Sequence, residues 1–199
     1  MARKSKLPLT FSRRRTSLHR SCQNMHLREW CSPLAPKTVI NLGAHPDASD
    51  KEGGRYRDYF PGAEFKALDQ RPEPHPDYVE GDLMVPQRHL GTYDLVIAMS
   101  IIEHIDRPWV AAPNISALIA PGGHLFVAMP WFYPVHEGAD FGDHWRATPS
   151  GLRFLFDDLE EVRTEPYPSA LLAVSDRKRY WRDPNATAVG ASSLFRKPA

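Results

Sequence analysis

The 199-residue chain has two cysteines, Cys22 and Cys31, with neither CxxC spacing nor neighbouring metal-ligand types. That excludes a disulfide framework and a cysteine zinc cluster, and both are read as reduced thiols. No apolar run approaches the roughly 20 residues needed to span a bilayer, so membrane insertion is not expected. The basic N-terminus is not followed by an apolar stretch of signal-peptide type, and a cytoplasmic location is expected. There are no internal repeats. Net charge is nearly absent, at +1, but it is unevenly spread. Residues 1–30 hold eight Lys or Arg against the single acid Glu29, and the remainder is acidic by six charges. A basic arm on an acidic body can attract nucleic acid or an anionic membrane, or it can be a solvated tail that packs on its own domain. Few aromatics stand in the arm to stack bases, which favours the tail, although nucleic acid remains an open partner for residues 1–20.

What is present is enough for one domain with a sizeable core. Residues 1–17 read as a disordered basic arm and residues 18–199 as a single domain. From Leu18 to Cys31, apolar residues fall near helical spacing, and the prolines at 33 and 36 end the pattern. Short apolar runs follow at Thr38–Leu42, at Glu64–Leu68 with Asp69 behind it, and at Tyr78–Glu80. Arg55 to Phe60 reads as a short helix. Tyr93 to Pro130 contains two further runs, DLVIAM and HLFVAM, separated by a helix-like segment and the turn Ala120-Pro121-Gly122-Gly123. Runs this short and this apolar suit strands buried on both faces of a parallel sheet, with a crossover helix between them. Thr148-Pro149-Ser150 reads as a helix start. Leu159–Glu165 and Thr187–Phe195 read as strands, with the charged segment DRKRYWRDP as an exposed insertion between them. Strand–helix alternation ending in a strand pair predicts an α/β fold: a doubly wound, mostly parallel seven-stranded sheet with a C-terminal antiparallel hairpin. Ligands of such sheets bind beyond the C-terminal strand ends.

The Tyr93–Pro130 stretch, with Ile119-Ala120-Pro121-Gly122-Gly123 matching an LxPGG signature, resembles the fourth and fifth strands of the class I, Rossmann-like S-adenosylmethionine methyltransferases. Several further segments extend the resemblance over about residues 37–165. Tyr56-Arg57-Asp58-Tyr59-Phe60, Glu103-His104-Ile105 and the loop Pro130 to Leu152 are similar to a methyltransferase type 11-like branch, with a PxHxxxDxWRxTPxGL-type loop, found in bacterial biosynthesis. The resemblance implies S-adenosylmethionine as cofactor, S-adenosylhomocysteine as product, and methyl transfer to a small-molecule or sugar acceptor.

The residues that the resemblance assigns to cofactor binding follow the strand ends. The turn after the first strand, Asn41, Gly43, Ala44 and His45, stands where the family has (D/E)xGxGxG. Only Gly43 matches its glycines: Asn41 replaces the acid, His45 the second glycine and Asp47 the third. Asp69 and Gln70 stand at the ribose-binding position, where a carboxylate meets a hydroxyl pair. Asp82 and Leu83 fall where the third-strand loop recognises the adenine. Met99, Ser100 and Ile101 follow the fourth strand, beside the methionine end.

His104 and His136 are the candidate general bases, since imidazole titrates near neutral pH. Arg146 suits an anionic acceptor group, and Trp131, Tyr133 and Trp145 a sugar face or a sulfonium. The bland alternative is that Trp145 and Arg146 pack the loop, with Arg146 paired to an acid. His136, Asp140, Asp143 and His144 lack zinc-site spacing, and no metal is expected. The reading is a methyltransferase acting at oxygen. Its rivals are a methyltransferase-like scaffold without turnover, supported by the altered glycine turn, and a nucleic-acid methyltransferase tethered by the arm. The second lacks any (D/N)PP(Y/F) sequence.

Overall fold

β-Branched and aliphatic residues dominate the central runs, and they form the centre of one seven-stranded sheet. The computed structural model describes residues 16–131, 133–167 and 190–198. The strands are β1 (Thr38–Leu42), β2 (Glu64–Asp69), β3 (Tyr78–Glu80), β4 (Tyr93–Met99), β5 (Ile119–Pro130), β6 (Glu160–Pro166) and β7 (Gly190–Arg196). Their order is β3-β2-β1-β4-β5-β7-β6. β3 to β5 pair in parallel, and β7 runs antiparallel to both β5 and β6. This is the predicted sheet with its terminal hairpin.

Alternation along the strands splits the core into two layers. Ile40, Val96, Ala98, Leu125 and Val127 face Ala111, Ile115, Leu152 and Phe156 of the segments that cover one side. Those segments are α2 (Pro108–Ala117) and α3 (Pro149–Leu155). Val39, Leu95, Ile97, Phe126 and Leu194 face Leu27, Trp30, Cys31, Tyr56 and Phe60 on the other. That second cover begins with α1 (Leu18–His26), continues through a π-turn to Cys31, and ends in a 3₁₀ turn holding Pro33. Thr148 caps α3, its Oγ1 accepting from the Gly151 N–H at 3.2 Å, with Pro149 in the first turn. At the opposite edge of the sheet centre, Asp94 accepts from the N–H groups of Lys37 and Thr38, at 2.8 and 3.1 Å, pinning β4 to the start of β1.

Two expectations need correction. Strand–helix alternation does not hold through the first half: the β1–β2 connection contains only a 3₁₀ turn, Tyr56–Tyr59, and no α-helix is described between β2 and β4. Those connections are rich in Pro, Gly and Asp, which break helices or compete with their backbone bonds. The LxPGG turn is not a separate turn either. It is an irregularity inside β5, where the register with β4 jumps between Tyr93 and Leu95. A Cβ on Gly123 would stand 2.9–3.1 Å from the carbonyl oxygens of Ala120, Tyr93 and Asp94, so only glycine lets the strand re-form beyond the bulge.

The basic arm lies outside the described residues except for Thr16 and Ser17. Ser17 caps α1, and the Thr16 hydroxyl donates to the Lys51 carbonyl at 2.7 Å. The exposed insertion and the first three residues of the predicted last strand also lie outside them. No helix among the described residues is long and apolar enough to cross a membrane.

Candidate active site

The sheet's parallel strands all point their C-terminal ends at one cavity of about 540 Å³. β1 supplies Gly43, β2 supplies Leu68, Asp69 and Gln70, the turn after β3 supplies Gly81, Asp82 and Leu83, and β4 supplies Ser100 and Ile101. The far wall comes from His104 and from the loop after β5, through Asp140, Phe141, Gly142 and His144. A crevice at the carboxyl ends, beside the point where the strand order reverses between β1 and β4, is where open α/β sheets bind ligands.

Gly43 has φ +67°, and a Cβ there would come within 2.4 Å of Ile101 Cδ1. Backbone alone can occupy that corner. Its N–H donates to the Leu68 carbonyl at 2.7 Å, fixing the turn to the end of β2. Asp82 is held in place: its Oδ1 accepts from Gln70 Nε2 at 3.1 Å and the Met84 N–H at 2.8 Å. Asp69 Oδ1 accepts from the Arg71 N–H at 3.3 Å. Ser100 sits at φ +52°, a left-handed conformation of the kind that costs on the order of 1–3 kcal/mol in a non-glycine residue. It is clamped by α1: the Ser100 hydroxyl donates to Gln23 Oε1 at 3.1 Å and lies 3.3 Å from His19 Nε2.

Other expected cofactor residues sit elsewhere. Asn41 is buried within β1, and Met99 points into the opposite core layer. Ala44 and His45 are next to Gly43 but do not line the cavity. His45 accepts from the Asp47 N–H and packs its ring 5.2 Å from His75. Asp47, in place of a third glycine, pairs with Arg57 at 3.0 Å, Arg55 at 3.3 Å and His75 at 3.4 Å. It fastens the β1–β2 connection to the β2–β3 connection.

The loop after β5 is organised by Asp143, whose side chain is 0% exposed. Arg146 donates to both of its oxygens, Nη2 to Oδ2 at 2.6 Å, and this pair holds the Asp143 carboxyl well below its ordinary range. Asp143 Oδ2 also accepts from the His136 N–H at 2.9 Å and lies 3.0 Å from His136 Nδ1. Arg146 is thus committed to an acid of its own loop. Trp145 donates its indole N–H to the Ile105 carbonyl at 2.9 Å and meets Trp109 edge-on, and it does not itself line the cavity. Tyr133 lies between His19 and His136, 5.5 Å from each ring. Trp131 is half-buried and does not line the cavity, and Phe132 lies outside the described residues.

His104 and His136 meet, their ring centroids 5.0 Å apart. Beside them stands Glu103, fully buried, and among the described residues neither carboxylate oxygen has a hydrogen-bond partner. Burial pushes the Glu103 carboxyl up to about 8, and the nearby Asp143 charge adds to the rise. Burial lowers His104, and burial followed by the charges of Arg20, His136 and Arg146 lowers His19 to about 4. Glu103 belongs to the Glu103-His104-Ile105 segment that resembles the family, but that segment gives no sign of its burial, and His19 and Gln23 carry no motif at all. The i, i+4 pairing of His19 and Gln23 on one face of α1 is the only local sign.

No family model matches the chain. Among curated proteins it is 25% identical over 140 residues to methyltransferase str3 of Strobilurus tenacellus, covering 66% of this chain and 48% of that protein. It is 29% identical over 89 residues to the ubiquinone biosynthesis O-methyltransferase of Cronobacter sakazakii, covering 45% and 31%. The chain thus spans less than half the length of these two relatives. Among solved structures it resembles the N-methyltransferase NodS of Bradyrhizobium japonicum WM9 in complex with S-adenosylhomocysteine, with TM-score 0.59, 15% identity and coverage of 93% and 90%. It also resembles 1,6-didemethyltoxoflavin-N1-methyltransferase of Burkholderia thailandensis, with TM-score 0.61, 15% identity and coverage of 92% and 79%. With the strand order, the terminal hairpin and the cavity at the strand ends, these likenesses show that the chain is built on the fold of the class I methyltransferases.

Proposed function

We propose that the chain is an S-adenosylmethionine-dependent methyltransferase that acts on a hydroxyl of a small molecule or glycan. The observation that carries this reading is the placement of Gly43, Asp69 and Asp82 on one cavity, at three successive strand ends. The residues fit the cofactor. The Gly43 corner admits only backbone, Asp69 stands where a ribose diol would be held, and Asp82 is braced to accept from an adenine amino group. Bound there, the cofactor supplies a methyl group on a sulfonium. The protein positions the acceptor in line and excludes water.

His136 and His104 are the bases of this reading. Each has its Nδ1 next to an oxygen, Asp143 Oδ2 for His136 and the Gly142 carbonyl for His104, at 3.0 and 2.6 Å. An Nδ1–H held this way leaves Nε2 unprotonated and able to take a hydroxyl proton. The domain is residues 18–199, and residues 1–17 are an appended basic arm. A second reading, a binding protein without turnover, draws on the ion-paired Asp47 where the family has glycine.

Calorimetry with S-adenosylmethionine and S-adenosylhomocysteine separates the two. Micromolar binding that weakens at least tenfold in Asp69→Ala supports the enzyme, since a hydrogen bond to a charged group contributes about 1.5–3 kcal/mol. No binding at millimolar cofactor by the folded protein overturns it in favour of the binding protein.

A further inference from the structure

The short 3₁₀ turn Ile102–His104 after β4 holds a buried acid with no hydrogen-bond partner among the described residues. Glu103 is 0% exposed, and among the described residues neither of its oxygens has a hydrogen-bond partner. A carboxyl desolvated and left unpaired is costly, and native proteins seldom keep one without a use. Two imidazoles flank it. His104 Nε2 lies 3.9 Å from Glu103 Oε1, and one donor atom each from Glu103, His104 and His136 lie within 4.8 Å of one another.

Both rings are oriented from behind. His104 Nδ1 is 2.6 Å from the Gly142 carbonyl, and His136 Nδ1 is 3.0 Å from the Asp143 carboxylate, which Arg146 braces in turn. A ring nitrogen tied to a carbonyl or carboxylate, with the opposite nitrogen left as a lone-pair donor, is the outer arrangement that accompanies metal-bound histidine. We propose that Glu103, His104 and His136 form a binding site for a divalent transition-metal ion of the zinc class.

Two imidazoles and one carboxylate select borderline ions over magnesium or calcium, which prefer all-oxygen sets. Three protein ligands leave a coordination position open. Donor atoms of a tetrahedral zinc site stand about 3.3 Å apart, so the side chains have to close by at most about 1.5 Å. His136, 38% exposed on the loop after β5, has room to supply that movement. His104 also lines the cavity, so the site adjoins the space where an acceptor would sit. The metal site stands on ligand geometry alone. A bound ion would take the Nε2 lone pairs of both imidazoles, so it would replace them as the group that readies an acceptor hydroxyl rather than work beside them, and only that use rests on the methyl-transfer reading.

The test is Zn²⁺ titration of the full chain after chelator treatment and dialysis, by calorimetry, with Co²⁺ absorption reporting the ligand set. Glu103→Gln, His136→Ala and His75→Ala are compared, each checked for folding by circular dichroism. The last removes a surface histidine beside Asp47 and His45 that could collect zinc adventitiously. One Zn²⁺ per chain, weakened at least tenfold by Glu103→Gln and by His136→Ala and unchanged by His75→Ala, is the expected result. No binding at submillimolar zinc, binding that survives both site variants, or binding lost with His75 overturns the proposal. Cofactor titration is run separately, so a chain that takes zinc but no S-adenosylmethionine refutes the methyl-transfer reading and leaves the metal site standing.

Discussion

His136 Nδ1 lies 3.0 Å from Asp143 Oδ2, while the His136 N–H donates to that same oxygen at 2.9 Å. One carboxylate therefore fixes both the backbone and the ring of the residue assigned as base. It can do so because Arg146 neutralises it from the other side. The ring's setting depends on a residue that a sequence reading assigns to acceptor binding.

Removing that brace has a defined consequence. Asp143→Ala leaves Arg146 half-buried without its counter-ion and frees the His136 ring, so a loss of about 2 kcal/mol is expected from broken charge-assisted bonds. For a chain of this size that is a fall of roughly 4–8 °C in Tm. Any turnover falls further than stability does, and a kcat loss with little change in KM separates ring orientation from acceptor binding. Arg146→Lys with Asp143 intact, which keeps charge without the bidentate fork, is expected to lose only part as much.

Glu103 sets a pH dependence of the metal-free protein. Its carboxyl is raised from 4.5 to about 8 in the fold, so the folded state holds a proton that the unfolded chain releases. Stability from this group is complete below about pH 4.5 and is lost as pH rises through about 8. Glu103→Gln keeps the neutral shape and is expected to flatten that slope, making the variant more stable than the parent at pH 8.5 and nearly equal at pH 4.5. Denaturant melts across this range check it, and an unchanged slope would show that Glu103 has found a partner in solution.

His19 acts in the opposite direction. Its imidazole is lowered from 6.5 to about 4 by burial and by the charges around it. The unfolded chain binds the proton more readily, so stability is intact above about pH 6.5 and declines as pH falls towards 4. The Ser100 hydroxyl gives its one proton to Gln23, so His19 Nε2 is the donor to Ser100 and protonation falls on the buried Nδ1, leaving that contact in place. His19→Gln is expected to reduce the acid decline and to leave the neutral-pH melt within about 1 kcal/mol, the worth of one hydrogen bond.

Much of the sheet is legible in the sequence because its central strands are buried on both faces. β1 falls where its apolar run places it, since a two-sided strand needs no partner to declare its pattern; β3, a half-exposed edge strand, is also found at its predicted residues but owes that to no such pattern. β5 is longer than its apolar run because Gly122 and Gly123 let the chain bulge and rejoin the ladder, a backbone property with no hydrophobic signature. Gly43, Asp69 and Asp82 are legible as a set because strand ends converge by topology. Glu103 is legible only as part of the Glu103-His104-Ile105 segment; its burial is not, because it is created by the loop that closes over it, where the N–H groups of His144 and Trp145 donate to the Glu103 carbonyl at 2.8 and 3.3 Å. The α1 clamp on Ser100 joins residues 77 and 81 apart in the chain, and no local pattern encodes it.

Gly43 carries the most direct test of the cavity's shape. Gly43→Ala meets two obstacles, a φ of +67° and an Ile101 Cδ1 that would lie 2.4 Å from the new Cβ. The backbone strain alone costs on the order of 1 kcal/mol or more, and the displaced Ile101 side chain moves into the cavity. Cofactor affinity is expected to fall at least tenfold. Adding Ile101→Ala removes the steric part but leaves the strain, so the double variant recovers binding more than stability. Calorimetry and a thermal melt on the single and double variants distinguish the two components. Equal recovery of both would mean that the left-handed turn costs nothing, and that Gly43 is required only for the space it leaves.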